Sequence, residues 1–144
     1  MYKFERRFEV GPNDAQLVRV FTREAGGAVS DTTALSGKPF EIVVEAEVGS
    51  ALHNTGGKYE FGIVVRDLTT TSSIHTASEK GNFGPPNWPG NQLAKQFVFP
   101  LAAAKLTAAM ATHILEVIAY LKVGGVGTLP ADVSFAKSSM FIVE

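Results

Sequence analysis

The stretch that decides the fold is residues 40–48, Phe-Glu-Ile-Val-Val-Glu-Ala-Glu-Val. Apolar side chains occupy every second position, and glutamate fills the positions between them except at Val43. Successive side chains of a β-strand point to opposite faces, so this pattern predicts a strand with one buried face and one face in water. The residues predicted to point inward are Phe40, Ile42, Val44, Ala46 and Val48.

Alternation of the same kind recurs on both sides of this strand, in segments separated by Gly, Pro, Asn and Asp. The predicted strands are 2–10, 16–23, 40–48, 59–65, 97–101, 112–123 and 132–143. The polar run 69–73 is either a turn or the start of an edge strand that continues to residue 77, and 24–38 is predicted to be a loop. About seven or eight short strands favour an antiparallel β-sandwich over a barrel or an α/β fold.

One segment departs from this pattern. Five alanines between residues 102 and 109, with Leu106 and Met110 four apart, have high helix propensity. We therefore predict an all-β domain covering 1–144, with at most one short helix near 102–110. The order and lengths of the strands resemble those of immunoglobulin-like domains, although the Cys–Trp–Cys signature is missing. This resemblance is architectural and implies no activity.

Composition narrows the range of functions. Lys and Arg number 13 against 14 Asp and Glu, which gives a net charge of −1. A nearly neutral balance gives no electrostatic reason to expect a nucleic-acid partner, which would need a basic face, and it does little to oppose self-association. The absence of cysteine removes disulfides, thiolate metal sites and cysteine nucleophiles, and it favours a reducing compartment.

The chain shows no targeting or membrane-spanning pattern. Residues 1–7 are charged and alternating, and they lack the apolar region of a secretory signal peptide. The longest apolar run, 114–123, is shorter than a membrane span and is broken by Glu116 and Lys122. We expect a soluble domain without a membrane partner, and the cytoplasm is the favoured location.

Histidines and hydroxyl groups do not form a recognisable catalytic or metal-binding motif. His53, His75 and His113 are far apart in sequence, whereas zinc ligands usually occur as closely spaced pairs. Ser73 and His75 are two residues apart, with Asp67 nearby, but no oriented base or oxyanion hole is indicated. We therefore expect no metal, no cofactor and no enzymatic activity.

Two glutamates on one strand face invite a comparison with glycosidases. Glu45 and Glu47 would lie roughly 7 Å apart on a strand, within the range of an inverting carboxylate pair. The stronger interpretation is that they form the solvated face, where they can pair with Lys or Arg on a neighbouring strand.

The segment 82–91 combines prolines with aromatic and amide side chains. Phe83 and Trp88 could stack on a sugar ring while Asn87 and Asn91 bond its hydroxyl groups. The competing interpretation, which we favour, is that Trp88 folds back as a lid over the end of the core.

The strand 112–123 is apolar on both faces. Its second face carries Ile114, Ile118 and Tyr120, which would form an apolar patch of the kind that marks an interface. The predicted function is that of a non-enzymatic structural or protein–protein interaction module, a subunit or accessory domain of a larger assembly. Its partner would be another protein or a second copy. The alternative is a module that binds carbohydrate or a small ligand through the loop around Trp88.

Overall fold

The computed structural model describes residues 15–49, 57–83, 88, 94–124 and 130–144. These residues contain nine strands, and the only helices among them are two short 3-10 turns. The strands are β1 (Ala15–Glu24), β2 (Thr33–Ala34), β3 (Phe40–Val48), β4 (Lys58–Asp67), β5 (Ser72–Asn82), β6 (Ala94–Leu101), β7 (Ile114–Gly124), β8 (Pro130–Lys137) and β9 (Phe141–Val143).

Two sheets form a sandwich. The smaller sheet has the antiparallel order β1-β3-β6, and the larger has the order β2-β9-β7-β4-β5. β8 also pairs with β7, on the edge that β9 uses further along the strand. β1, β3 and β6 correspond to strands A, B and E of immunoglobulin domains. In the larger sheet, β5, β4 and β7 correspond to strands C′, C and F, and β8 with β9 takes the place of strand G. The predicted antiparallel, immunoglobulin-like sandwich is confirmed, with one parallel pair, β2–β9.

The core lies between the sheets because alternate side chains of β3, β4 and β7 point into the same space. All five residues predicted to point inward from β3 are buried, and so is the predicted stripe of β7. Burial of each large apolar side chain contributes about 1.5–3 kcal/mol, so these stripes dominate the stability of the domain. The fully buried residues of the β7 stripe are Leu115, Val117, Ala119, Leu121 and Val123.

A cluster of aromatic rings joins the sheets at one end of the core. The Phe61 and Phe97 ring centroids, one from each sheet, are 3.9 Å apart. Tyr59 meets Trp88 edge to face at 5.6 Å, and Phe83 lies 5.3 Å from the same indole. Trp88 is 0% exposed, so its burial agrees with the interpretation of Trp88 as a lid on the core.

Several short elements differ from the sequence-based prediction. The predicted loop 24–38 contains β2, whose Thr33 and Ala34 pair with Ile142 and Val143. Two residues are too few to show a periodic pattern. The run 69–73 ends a turn and begins β5, an edge strand that extends to Asn82. The predicted strand 2–10 lies outside the described residues.

The predicted single helix near 102–110 is replaced by two 3-10 turns, Ala103–Lys105 and Ala108–Met110. Leu106, between them, is fully buried and has a non-helical backbone. Its carbonyl accepts a hydrogen bond from the Gly37 amide at 2.7 Å. Insertion of this leucine into the core therefore overrides the helix propensity of the alanines.

The predicted closing strand 132–143 is interrupted at Ser138. The β8 register pairs Lys137 with Ile118, whereas the β9 register pairs Phe141 with Leu115. One extra residue therefore lies opposite β7. Within this bulge the Val117 amide donates to Ser138 Oγ at 3.0 Å instead of to a backbone carbonyl.

Replacing Ser138 with alanine should leave the buried Val117 amide without an acceptor. The expected loss is about 1–3 kcal/mol of unfolding free energy, the usual cost of an unsatisfied buried polar group. Urea titration of S138A against wild type measures this change. Ser139→Ala is the matched control, because Ser139 is exposed and contributes its backbone carbonyl to Ser138. Equal stability of the two variants would contradict this role.

Candidate functional site

The outer face of the larger sheet carries an exposed apolar surface, which we name the β7–β8 patch. Across the strands, Phe135 lies opposite Tyr120 and Lys137 lies opposite Ile118. On the other side of β7, Val64 of β4 is paired with Ile118. Phe135 is 70% exposed and Val133 46% exposed. The patch consists of Val64, Ile118, Tyr120, Val133 and Phe135.

The exposure of Phe135 follows from the close approach of β1 to the inner side of β8. The Leu17 amide donates to Ser134 Oγ at 3.1 Å, and Ala136 packs against the core from the same side of the strand. Small residues therefore occupy the inner side of β8. Because side chains alternate along a strand, Val133 and Phe135 point to the outside.

Tyr120 lies flat on the sheet because Gly62, directly opposite on β4, has no side chain. A Cβ atom at Gly62 would overlap the Tyr120 ring. The ring directs its hydroxyl toward Glu60, and Tyr120 Oη donates to Glu60 Oε2 at 2.7 Å. This bond lowers the pKa of Glu60 and raises the pKa of Tyr120. The pair therefore fixes one aromatic ring of the patch.

Three lysines border the patch beside Glu60. Lys80 and Lys122 are the neighbours of Glu60 on the two adjacent strands. Lys122 Nζ is 3.6 Å from Glu60 Oε1 and 5.5 Å from the centre of the Tyr120 ring. Together with Lys58 they line a cleft of about 490 Å³, which we name the lysine cleft.

The structure brings together two of the three predicted residues on the outer face of β7. Ile118 and Tyr120 belong to the patch, whereas Ile114 pairs with Ile142 at the other end of the strand. Six residues of strand separate Ile114 from Tyr120 by about 20 Å. Sequence reasoning missed Phe135 and Val133. The signal that could have revealed them is the alternation of small Ser134 and Ala136 with large neighbours.

The predicted sugar-binding loop is divided by the structure. Phe83 and Trp88 are buried in the aromatic cluster, so neither ring offers an open face for stacking in this conformation. Asn87 and Asn91 lie outside the described residues. Phe83 and Trp88, the two rings predicted to form the sugar platform, instead close one end of the core.

The His–Asp contact that does form is not the one considered from sequence. His113 Nδ1 lies 2.7 Å from Asp67 Oδ2, and because an ionised carboxylate only accepts, Nδ1 is the donor. Asp67 Oδ1 also accepts from the Thr69 and Thr70 amides. Burial alone would raise the pKa of Asp67, but these hydrogen bonds hold it below its ordinary value. The pair joins the end of β4 to the segment before β7.

His75 has different surroundings. It lines a shallow depression with Ser73 and Lys105, and burial, followed by the charge of Lys105, lowers its pKa. The register irregularity in β5 falls between His75 and Ser73. No hydrogen bond joins these two side chains in the described part of the chain.

Two of the three glutamates of β3, Glu41 and Glu45, pair with arginines of β1, as their position on the solvated face predicts. Arg19 Nε lies 2.7 Å from Glu45 Oε1, and Arg23 Nε lies 2.9 Å from Glu41 Oε1. Gln96 also donates to Glu45, at 2.8 Å. The bond from Arg19 lowers the pKa of Glu45, which remains an ionised partner in a cross-strand pair.

Metal-ligating groups are scattered. Within the described ranges, no group of three or more His, Asp or Glu side chains is arranged to hold a metal ion. None of the helices described here is long and apolar enough to cross a membrane.

No family model and no curated protein sequence matches the chain. Among solved structures, AggA, the major subunit of type I aggregative adherence fimbriae of Escherichia coli, is similar. Its TM-score is 0.49 at 6% identity, over 94% of this chain and 99% of AggA. The sporulation control protein Spo0M of Bacillus subtilis is also similar, with a TM-score of 0.47 at 15% identity. The match covers 90% of this chain and 49% of Spo0M.

A glycosyl hydrolase family 2 member from Bacteroides cellulosilyticus gives a TM-score of 0.47 at 9% identity. The match covers 85% of this chain but 15% of that protein. The fold thus resembles that of a fimbrial major subunit and of β-sandwich domains within larger proteins. These similarities concern architecture, and no residue's role is transferred from them.

Replacing Gly62 with alanine should displace the Tyr120 ring and break its bond to Glu60. Forcing extra atoms into a filled position costs about 1–3 kcal/mol. A double-mutant cycle with Tyr120→Ala, followed by chemical denaturation, measures the coupling. In the Y120A background, which lacks the ring, we expect G62A to be nearly neutral. If G62A lowers stability as much in the Y120A background as in wild type, the clash with the ring is not the cause of the loss.

Replacing Asp67 with asparagine should remove a pH-dependent contribution to stability. The folded-state pKa of Asp67 lies below its ordinary value of 3.8. The contribution is therefore fully present above that value and is lost as the pH falls through the folded-state pKa. We expect D67N to be about 1.5–3 kcal/mol less stable at pH 7, the range for hydrogen bonds to charged groups.

Thermal unfolding of D67N and wild type between pH 2 and pH 7 tests this prediction. The difference in stability between D67N and wild type should become smaller as the pH falls toward 2. Asp31→Asn is the control, because Asp31 Oδ1 accepts a similar bond from the Thr33 amide at 2.9 Å and has no histidine partner among the described residues. A difference that stays constant down to pH 2 would contradict the linkage.

Proposed function

We propose that this domain is a non-enzymatic protein–protein interaction module that contacts its partner through the β7–β8 patch. The observation that carries the proposal is the 70% exposure of Phe135 beside Tyr120 on the outer face of the larger sheet. In this arrangement the domain serves as a subunit or accessory domain of a larger assembly.

Physical chemistry supports an interface at this position. Aromatic residues concentrate in the energetically dominant centre of interfaces, where a few side chains supply most of the binding energy. Phe135 and Tyr120 lie on adjacent strands, with Val133 and Ile118 beside them. Covering one such aromatic side chain recovers about 1.5–3 kcal/mol of hydrophobic free energy. The patch lies on paired strands, β4, β7 and β8, and a surface whose backbone is already held by strand pairing costs less to order on binding.

The alternatives receive less support. A sugar platform at Phe83 and Trp88 would require rings that the structure buries in the core. A catalytic triad would require Asp67 to orient His75, but Asp67 is bonded to His113. A reducing compartment, suggested by the lack of cysteine, remains our prediction.

Site-specific photo-crosslinking tests this function. Benzoylphenylalanine replaces Phe135 in one variant and Val29, which is 77% exposed in the β1–β2 connection, in a matched control. Both are produced in the native host cells and irradiated. We expect discrete adducts from position 135 and none from position 29, and mass spectrometry then identifies the partner. A dimer-sized adduct would identify it as a second copy, and no discrete adduct from position 135 would overturn the proposal.

A further inference from the structure

We propose that the partner contacts this face through an acidic protein segment, with carboxylates in the lysine cleft and an apolar side chain against Phe135. This inference rests on the proposed function and adds the chemistry of the partner. It follows from three observations. The outer face of the larger sheet carries an excess of cations, the Glu60 carboxylate is already bound by Tyr120 and Lys122, and the cleft lies a short distance from the patch.

The outer face of β5, β4, β7 and β8 is positively charged, although the chain carries a net charge of −1. The strand registers place five cations on this face against two carboxylates among the described residues. Such an excess attracts an acidic partner and disfavours a basic one. The cations are Lys58, Arg66, Lys80, Lys122 and Lys137, and the carboxylates are Glu60 and Glu116.

Glu60 offsets only part of the charge of the lysine cleft, because one carboxylate faces three lysines there. Its carboxylate is occupied by the Tyr120 hydroxyl and by Lys122. Lys58 and Lys80 form no ion pair within the described ranges, and both side chains are exposed. The cleft therefore has ammonium groups that can bind carboxylates from a partner.

The cleft and the patch are close enough for one short segment to bind both. Lys122 lies between Glu60 and Val133 in one row across the sheet, and Phe135 is in the next row. From β8 to β5 is three strand spacings, about 14 Å. An extended segment of roughly five residues covers this distance. It could place an apolar side chain on Phe135 and carboxylates near Lys122 and Lys80.

Nucleic acid also presents anions, but this face favours it less. Binding to a phosphate backbone depends on many cation contacts, whereas the cleft has three lysines and contains Glu60. The apolar centre of the face, formed by Phe135 and Val133, instead matches a protein segment with mixed acidic and apolar side chains. Nucleic acid is therefore an outcome of the test.

The test uses three fluorescein-labelled probes in a polarisation titration at low salt. The first is a synthetic 12-residue peptide of glutamate and phenylalanine, the second has lysine in place of every glutamate, and the third is 12-residue oligothymidine. We expect saturable binding of the first probe alone, weakening as salt is added. No binding of the acidic peptide, equal binding of the lysine peptide, or tighter binding of the oligonucleotide would overturn the inference.

Variants assign the binding to the lysine cleft. Lys58→Gln with Lys80→Gln leaves the contact between Lys122 and Glu60 in place, and it should weaken binding of the acidic peptide about ten-fold. Lys38→Gln with Lys105→Gln removes two exposed lysines elsewhere and is the matched control, expected to bind like wild type. Circular dichroism verifies that both variants fold. Equal affinity of both double variants would place the binding outside the cleft and overturn the inference.

The photo-crosslinking experiment separates the two proposals. If position 135 forms an adduct with a partner segment that is not acidic, the interaction module stands and the acidic partner is wrong. If position 135 forms no adduct, the proposed function fails, whatever the peptide titration shows.

Discussion

The contact between Phe61 and Phe97 across the two sheets is the interaction on which the rest of the structure depends. Immunoglobulin domains often join their sheets with a disulfide beside a buried tryptophan. This chain has no cysteine, and its tryptophan instead packs among aromatic rings that span the sandwich. Burial of these rings and of the aliphatic stripes holds the sheets together and sets their separation, about 10 Å in such packings.

That separation determines what the outer surfaces can present. Where β1 approaches β8, little space remains inside, and serine and alanine occupy the inner positions of β8. The large residues of β8, Val133 and Phe135, therefore point outward, and Phe135 lies beside Tyr120. The exposed patch is thus a consequence of close packing on the opposite side of the same strand. The register of β7 and β8 places Phe135 directly beside Tyr120.

Much of this fold could be predicted from the sequence because apolar residues occupy every second position in its main strands. Residues 40–48 and the stripe from Leu115 to Val123 alternate cleanly, and both are buried as expected. Local patterns failed where a distant contact decides the conformation. Leu106 leaves a helix-favouring segment to enter the core, and Ser138 shifts a register through a bond to another strand. For the surface, Ile118 and Tyr120 could be anticipated, whereas Phe135 required knowing which side of β8 faces β1.

The overlap between Gly62 and the Tyr120 ring has a consequence for how this chain can change over evolutionary time. Two positions 58 residues apart share one volume of space, so a side chain at position 62 is acceptable only when the ring at position 120 is absent. A lineage that gained a side chain at position 62 would first need a smaller residue at position 120. Among homologous chains, these two positions should therefore vary together, with glycine accompanying the aromatic ring and larger residues accompanying its loss.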